Sequence, residues 1–370
     1  MSFKVSRRRS FSRSDVGSDA RAMLAVAALL LSGCSTVGYY TQTVGGHFAL
    51  MAATRPVAEV IADPATSPGV RERLRQLASL RTFASDELGL PDNGSYRAYA
   101  ELQGEVMVWS LVAAPAFSLQ PRQWCYPVVG CASYRGYFDR ADADELAAEL
   151  VADGWDVAVE PVPAYSTLGW FDDPVPSTVI NWPLDAFAGL LFHELAHQQL
   201  YVAGDSAFNE AYATVVEHEG IRRWLERYGT RQLRDQHRRN AAGRRQFLAL
   251  IAMARRRLEV VYASDLNELR RSAEKQAVFA SLRDDYHQVS GVPGDHPRYD
   301  RWFDRPLNNA HLASVATYSE WEPALRALLD RCDGDMSAFH AACRELAGLS
   351  NEARRDGLRM LSADAPLAAD

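Results

Sequence analysis

Two histidines and a glutamate lie close together in an apolar stretch near the middle of the chain. His193, Glu194 and His197 form the pattern H-E-x-x-H. On a helix, residues four apart share a face, so both imidazoles can bind the same metal ion. The carboxylate between them can hold and deprotonate a water bound to that ion. The alternative is a core helix whose histidines only make ordinary hydrogen bonds.

The residues before this motif predict a helix. Asn181 is suited to be its N-cap, Pro183 falls in the first turn, and Asp185 places an acid near the positive end of the helix. The apolar residues that follow keep helical spacing, namely Leu184, Phe187, Ala188, Leu191 and Leu195. We therefore expect the face opposite the motif to be buried.

A catalytic zinc site usually has three protein ligands and one position open to water, so a third ligand is required. Gly204 is suited to end the motif helix, and Asp205 or Ser206 to begin the next one. Two antiparallel helices would then place Glu210 at about the same height as His197.

Glu217 is the alternative third ligand, because it lies two turns beyond Glu210 on the same helix face. Whichever glutamate does not bind the metal is expected to accept a hydrogen bond from a ligand histidine.

These residues also carry a resemblance. H-E-L-A-H followed by N-E-A-Y-A resembles the gluzincin metallopeptidases, the group that contains thermolysin and aminopeptidase N. In those families the glutamate of the N-E dipeptide is the third zinc ligand, which favours Glu210. The chain resembles more closely the predicted aminopeptidases found as lipoproteins in Gram-negative bacteria, over most of the mature chain, including residues 162–171 and 307–310. The resemblance implies zinc-dependent hydrolysis of peptide bonds on a zincin-like fold.

The chain departs from the better-known gluzincins in two ways. Only twelve residues separate His197 from Glu210, and no G-x-M-E-N segment, the amine-binding signature of aminopeptidase N, is present. The resemblance favours an aminopeptidase, while an endopeptidase acting on envelope proteins stays open. A lipid-anchored protein with a purely structural zinc is the non-enzymatic alternative.

Peptide hydrolysis also needs a donor that stabilises the oxyanion, which in gluzincins is usually a tyrosine or a histidine. Tyr318 is the first candidate and His311 the second, on a helix expected to begin near Asn308.

The segment from Tyr165 to Asp173 arrives just before the motif helix. Tyr165 and Gly169 are expected to belong to a strand that pairs with the substrate backbone. An ordinary buried turn that packs Trp170 and Phe171 is the alternative.

The N-terminus resembles a lipoprotein signal peptide covering residues 1–33. A basic, serine-rich start precedes a short apolar run that ends in Leu31-Ser32-Gly33-Cys34. The run is too short for a transmembrane helix. We expect cleavage before Cys34 and attachment of lipid to that residue, which would anchor the protein to a membrane. Ser35 resembles the residue that directs lipoproteins to the outer membrane, where the protein would face the periplasm.

The cysteine count agrees with export. Without Cys34, four of the five cysteines remain, and Cys125–Cys131 and Cys332–Cys343 are disulfide candidates for the oxidising periplasm. Free buried thiols are the alternative for each pair.

The net charge of −7 gives no basic field for nucleic acid, and we expect a monomer that binds peptide substrates. The predicted fold class is α+β and predominantly helical, with a small mixed sheet packed on the motif helix and a helical second lobe. The domain would cover residues 34–350, with a mixed α/β wall over about 45–180 and a helical lobe over about 181–350. Residues 351–370 are expected to be a disordered tail.

Overall fold

The computed structural model describes residues 38–102, 104, 106–126, 130–162, 164, 166–289 and 297–363. The expected signal peptide, Cys34 and Tyr165 lie outside the described residues. The chain divides into two units, Met1–Ala49 and Leu50–Asp370; the described part of the first, residues 38–49, is helical. Within the described residues, no helix combines the length and the apolar character needed to cross a membrane.

The fold is predominantly helical α+β, as the sequence predicts. The helices are α1 (38–52), α2 (Val57–Ala62), α3 (Pro68–Leu88), α4 (Arg140–Ala152), α5 (Leu184–Gln199), α6 (Ser206–Tyr228), α7 (Arg231–Tyr262), α8 (Glu268–Val289), α9 (Pro297–Phe303), α10 (Asn309–Ser319), α11 (Glu322–Arg331), α12 (Met336–Ala347) and α13 (Asn351–Ala363).

The strands are short and form small sheets. They are β1 (Thr54–Pro56), β2 (Ala98–Ala100), β3 (Val108–Pro115), β4 (Trp124–Tyr126), β5 (Gly130–Ala132), β6 (Arg135–Tyr137), β7 (Trp155–Val162) and β8 (Val175–Pro176). One sheet has the order β1-β2-β8 and is mixed, because β2 and β8 are parallel. A second, antiparallel sheet has the order β6-β3-β7, and β4 pairs with β5 in a hairpin.

The main core surrounds the motif helix α5. It contains Phe192 and Leu195 from α5, both fully buried, together with Tyr99 and Val175 from the mixed sheet. The helix begins after Pro183, whose carbonyl accepts the first helical hydrogen bond from Phe187. The expected N-cap Asn181 therefore lies outside the helix. Pro183, two residues later, is the N-cap, since its backbone is not helical.

A second core joins α7, α8, α9 and α10. Its centre is aromatic: the rings of Tyr286 and Phe303 stack with centroids 4.0 Å apart, and Phe247 packs edge-on against Phe303. The antiparallel sheet packs on α4 and on α10, where Val112 and Ala158 meet small residues of the helix.

The C-terminal segment differs from the expected tail. Residues 351–363 form α13, which packs on α11 and α12. Arg354, Leu358 and Leu361 share one face of this helix and are buried. Composition alone predicts a tail because the segment is rich in charge. It does not register the helical spacing of the two leucines and the arginine, which lets the segment pack as a helix.

Candidate metal centre

Three donor atoms converge between α5 and α6. The Nε2 atom of His193 lies 3.2 Å from Nε2 of His197 and 3.2 Å from Oε2 of Glu210. The distance from Nε2 of His197 to the same carboxylate oxygen is 3.6 Å. The three atoms lie within 4.8 Å of one another and could hold a metal ion. Two imidazoles and one carboxylate are the ligand set of many catalytic zinc sites, which leave a fourth position for solvent.

The connection between α5 and α6 sets the relative position of these ligands. Gly204 has a positive φ of 82°, which turns the chain back on itself. Asp205 then caps α6 by accepting a hydrogen bond from the backbone of Phe208. The side chain of Asn209 bonds to both the backbone N–H and the carbonyl of Val202. Asn209, the asparagine of the N-E dipeptide, therefore stabilises the turn that places Glu210 opposite the histidines.

Glu217 lies on the other side of the first histidine. Its Oε2 atom accepts a hydrogen bond from Nδ1 of His193 at 3.1 Å. A proton on Nδ1 leaves Nε2 with the lone pair that a metal needs. Glu210 is therefore the glutamate of the group that could hold a metal ion, and Glu217 lies against the other ring nitrogen of His193.

Burial and charge act in opposite directions on the carboxylates of the centre. Burial would raise the pKa of Glu210, but the His197 and His193 imidazoles lower it to about 2. Burial raises the pKa of Glu194 above its usual value, against the effect of the same two imidazoles. A carboxylate with a raised pKa is a stronger base, which suits proton transfer.

Residues 38–358 match the protein family described as "Putative aminopeptidase". This chain belongs to that family. No curated protein and no solved structure matches the chain. The family description indicates peptide hydrolysis, and the matched residues include all three donors of the metal group.

In this aminopeptidase-family protein, α10 brings one of the two expected oxyanion donors to the centre. The ring centroid of Tyr318 lies 6.5 Å from that of His193. The Glu210 charge, and after it desolvation of the hydroxyl, hold the pKa of Tyr318 well above 10, although the residue as a whole is 42% exposed. Its hydroxyl therefore lies within electrostatic reach of the metal group.

His311 is placed elsewhere. It belongs to the capping box of α10, where its ring accepts a hydrogen bond from the backbone of Asn308. Its Nε2 atom lies 3.6 Å from the carboxylate of Glu160, and its ring packs against Trp302. Burial lowers the pKa of His311 to about 4. These contacts give His311 a structural position at the start of α10, seven residues before Tyr318.

The segment expected to be a substrate-binding strand is a turn in its described part. Leu168 and Gly169 have positive φ angles of 56° and 82°. The carboxylate of Asp173 accepts hydrogen bonds from the backbone and the hydroxyl of Thr167 at 2.9 and 2.8 Å. Such local side-chain bonds satisfy the backbone without a neighbouring strand, so the strand prediction is wrong for residues 166–173. Gly169 lies against Gln198 of α5 instead.

Two further tyrosines near the centre were not predicted from the sequence. Tyr96 is buried, and burial together with the Glu194 and Asp173 charges raises its pKa. It lies in the turn before β2, so no periodic pattern marks it. Tyr201 lies with its ring centroid 6.5 Å from that of His197. Its position four residues after His197 is a signal that could have identified it.

One expected disulfide is formed and the other is not. Cys125 and Cys131 are bonded across the hairpin of β4 and β5. A Cβ atom on Gly130 would lie 2.6 Å from the backbone nitrogen of Gly204, so this hairpin packs directly on the α5–α6 connection. Cys332 and Cys343 are free. Cys343 is fully buried in the main core, where a thiol packs as a small apolar group.

Proposed function

We propose that this protein is a zinc-dependent metallopeptidase that acts as an aminopeptidase, with Glu194 as its general base. The convergence of His193, His197 and Glu210 on one point, in a chain of an aminopeptidase family, carries this proposal.

The donor set fits zinc. Nitrogen and oxygen donors in a group of three suit Zn²⁺, and the hydrogen bond from Nδ1 of His193 to Glu217 would leave Nε2 free to bind the ion. A zinc ion held by these three residues would polarise the scissile carbonyl and lower the pKa of a bound water.

The chain's own residues supply the proton transfers and charge stabilisation. Glu194 accepts the proton of the attacking water and passes it to the leaving amine, which its raised pKa favours. Tyr318 donates a hydrogen bond to the substrate oxygen that gains negative charge, because its hydroxyl keeps its proton at neutral pH.

Two variants test the mechanism. We expect Glu194→Gln to keep its zinc and its thermal stability and to lose about 100- to 10,000-fold in kcat. His193→Ala should lose the metal. Full activity in Glu194→Gln would contradict the assigned base. Stoichiometric zinc in a wild-type protein that cleaves no peptide would favour a structural metal.

A digest of mixed peptides, followed by mass spectrometry, tests the aminopeptidase assignment. An aminopeptidase produces ladders shortened from the N-terminus, whereas internal fragments would support endopeptidase activity on envelope proteins. The absence of a G-x-M-E-N segment makes the second outcome a specific alternative.

We also propose that the mature protein is anchored by lipid on Cys34 to the outer membrane and faces the periplasm. The apolar run before Cys34 supports this, as does the Cys125–Cys131 disulfide, since disulfides persist in oxidising compartments. Cys34→Ser should remain unprocessed and take up no labelled fatty acid. Equal labelling of both proteins would contradict the anchor.

A further inference from the structure

Two large aromatic side chains stand next to each other on the loop between β7 and β8. Trp170 and Phe171 are 70% and 50% exposed. Single exposed apolar residues are common on protein surfaces, but adjacent exposed aromatic rings are typical of contact sites.

The loop is fixed by its own hydrogen bonds. Besides the bonds from Thr167, the buried Asp173 carboxylate accepts one from the hydroxyl of Ser166 at 3.3 Å. The Thr167 hydroxyl also accepts from the backbone of Phe171 at 3.1 Å. Leu168 holds a left-handed conformation that is unfavourable for a residue with a branched side chain. The chain thus adopts a strained turn that displays the aromatic pair on an ordered backbone, a feature concentrated at functional sites.

The loop is also attached to the motif helix. The hydroxyl of Ser95 accepts hydrogen bonds from the backbone of Asp173 at 3.3 Å and from the side chain of Gln198 at 3.1 Å. Asn93 donates to the other end of the Gln198 amide at 2.7 Å. A Cβ atom on Gly169 would lie 3.5 Å from the Gln198 side chain.

Gln198 identifies the side of the metal centre that the loop borders. It lies four residues after Glu194 on α5, so the two side chains share one face of the helix. The loop that carries the aromatic pair therefore packs against α5 on the helix face that includes Glu194.

We infer that Trp170 and Phe171 form a binding site for an apolar side chain, aromatic or branched aliphatic, of the peptide substrate close to the scissile bond. This inference rests on the proposed peptidase function. Aromatic rings offer a large apolar surface that loses little conformational entropy on binding. A free amine or a charged side chain would gain nothing from these rings beyond a weak cation–π contact.

Kinetics on matched peptides test this inference. Peptides that differ only in the residue before the scissile bond, with Phe, Leu, Ala or Glu there, are compared by kcat/KM. We expect wild type to prefer Phe and Leu over Ala by about tenfold or more. Trp170→Ala and Phe171→Ala should reduce this preference to within about threefold, mainly by raising KM, whereas Trp170→Phe should retain most of it. Leu269→Ala, which removes a side chain that is 82% exposed on α8, is the matched control.

Binding to the Glu194→Gln variant separates this inference from the proposed function, because it requires no turnover. Calorimetry should show Phe peptides binding about tenfold tighter than Ala peptides, and this difference should disappear in Glu194→Gln/Trp170→Ala. If that holds while wild type cleaves nothing, the aromatic pair binds apolar peptide side chains, but the peptidase proposal fails. Equal binding of Phe and Ala peptides would overturn the inference whatever the activity.

A membrane surface is the alternative binding partner of Trp170 and Phe171, and vesicle binding tests it directly. Vesicles of phosphatidylethanolamine and phosphatidylglycerol are mixed with soluble protein that lacks the lipid anchor. If Trp170→Ala weakens vesicle binding and leaves peptide binding unchanged, the aromatic pair contacts lipid and the substrate assignment is wrong.

Discussion

The Glu217 carboxylate lies 3.1 Å from Nδ1 of His193, on the opposite side of the imidazole from the Nε2 atom that faces Glu210. This arrangement links the metal centre to a second charged cluster. Next to Glu217 on α6, His218 pairs with Glu322 of α11 at 3.0 Å, and Arg244 of α7 reaches the same carboxylate at 2.9 Å. Glu322 thereby joins α6 and α7 to α11 close to the carboxylate that contacts His193.

We expect Glu217→Ala to lower zinc affinity by about 10- to 100-fold while leaving the fold intact. Without the acceptor, His193 loses the hydrogen bond that orients its ring and keeps the proton on Nδ1. Zinc affinity is measured by competition with a chromophoric chelator, and the absorption spectrum of the Co²⁺-substituted protein reports ligand geometry. Glu226→Ala removes an exposed acid from the same helix and serves as the control. An affinity equal to that of wild type would show that Glu217 is not needed to position the ligand.

Gly189 provides the space for this carboxylate. A Cβ atom there would lie 3.1 Å from Oε1 of Glu217 and 2.8 Å from Cδ1 of Ile221. The Ile221→Val background removes the second clash, so Gly189→Ala in that background tests only the first. We predict that Gly189→Ala weakens zinc binding when Glu217 is present and causes no further loss of zinc affinity in the Glu217→Ala variant. A double-mutant cycle measures this coupling, and simple additivity of the two effects would refute it.

The sequence predicted the part of the centre that depends on local spacing. The positions of His193, His197 and Glu210 follow from helical periodicity and a capped turn, and the structure brings these residues together. The rest depends on side-chain interactions that helical periodicity does not reveal. The Glu194 charge acts on Tyr96 across nearly one hundred residues of sequence, and bonds to Asp173 replace strand pairing in the 166–173 loop. Neither leaves a periodic pattern in the sequence.

The C-terminal helix supports the turn between α5 and α6. Nε of Arg354 lies 2.8 Å from Oδ2 of Asp205, both side chains are buried, and the guanidinium also donates to the carbonyl of Leu349. Arg354→Met leaves the Asp205 charge buried without its partner, which costs about 3–5 kcal/mol. Urea unfolding should show this loss of stability, and the exposed Arg355→Met should change stability by less than about 0.5 kcal/mol. Equal stability of the two variants would contradict a structural role for the pair.

The buried His340 should make the folding stability of the protein depend on pH. Its buried ring accepts a hydrogen bond from the Tyr212 hydroxyl at Nδ1 and donates from Nε2 to the Leu88 carbonyl, an arrangement that only the neutral ring can make. Burial lowers the pKa of His340 below its usual value, so protonation favours the unfolded chain. Its contribution is complete above about pH 6.5 and declines as the pH falls toward the folded-state pKa.

The stability difference between wild type and His340→Gln should accordingly shrink on lowering the pH from 7.5 to 5. Urea unfolding at a series of pH values measures this difference. His287→Gln, at an exposed position on α8, controls for the general effect of removing an imidazole. A difference that stays constant or grows at low pH would exclude a buried neutral His340.

The free and the disulfide-bonded cysteines should differ in their reactivity. In denaturant without reductant, peptides containing Cys332 and Cys343 should be alkylated, whereas Cys125 and Cys131 should react only after reduction. Closing so short a loop contributes about 2 kcal/mol to stability. Because the hairpin packs on the α5–α6 connection, Cys125→Ala/Cys131→Ala should also weaken zinc binding, which a surface disulfide unconnected to the centre would not do. Reduced stability with unchanged zinc affinity would show that the metal centre does not depend on the hairpin.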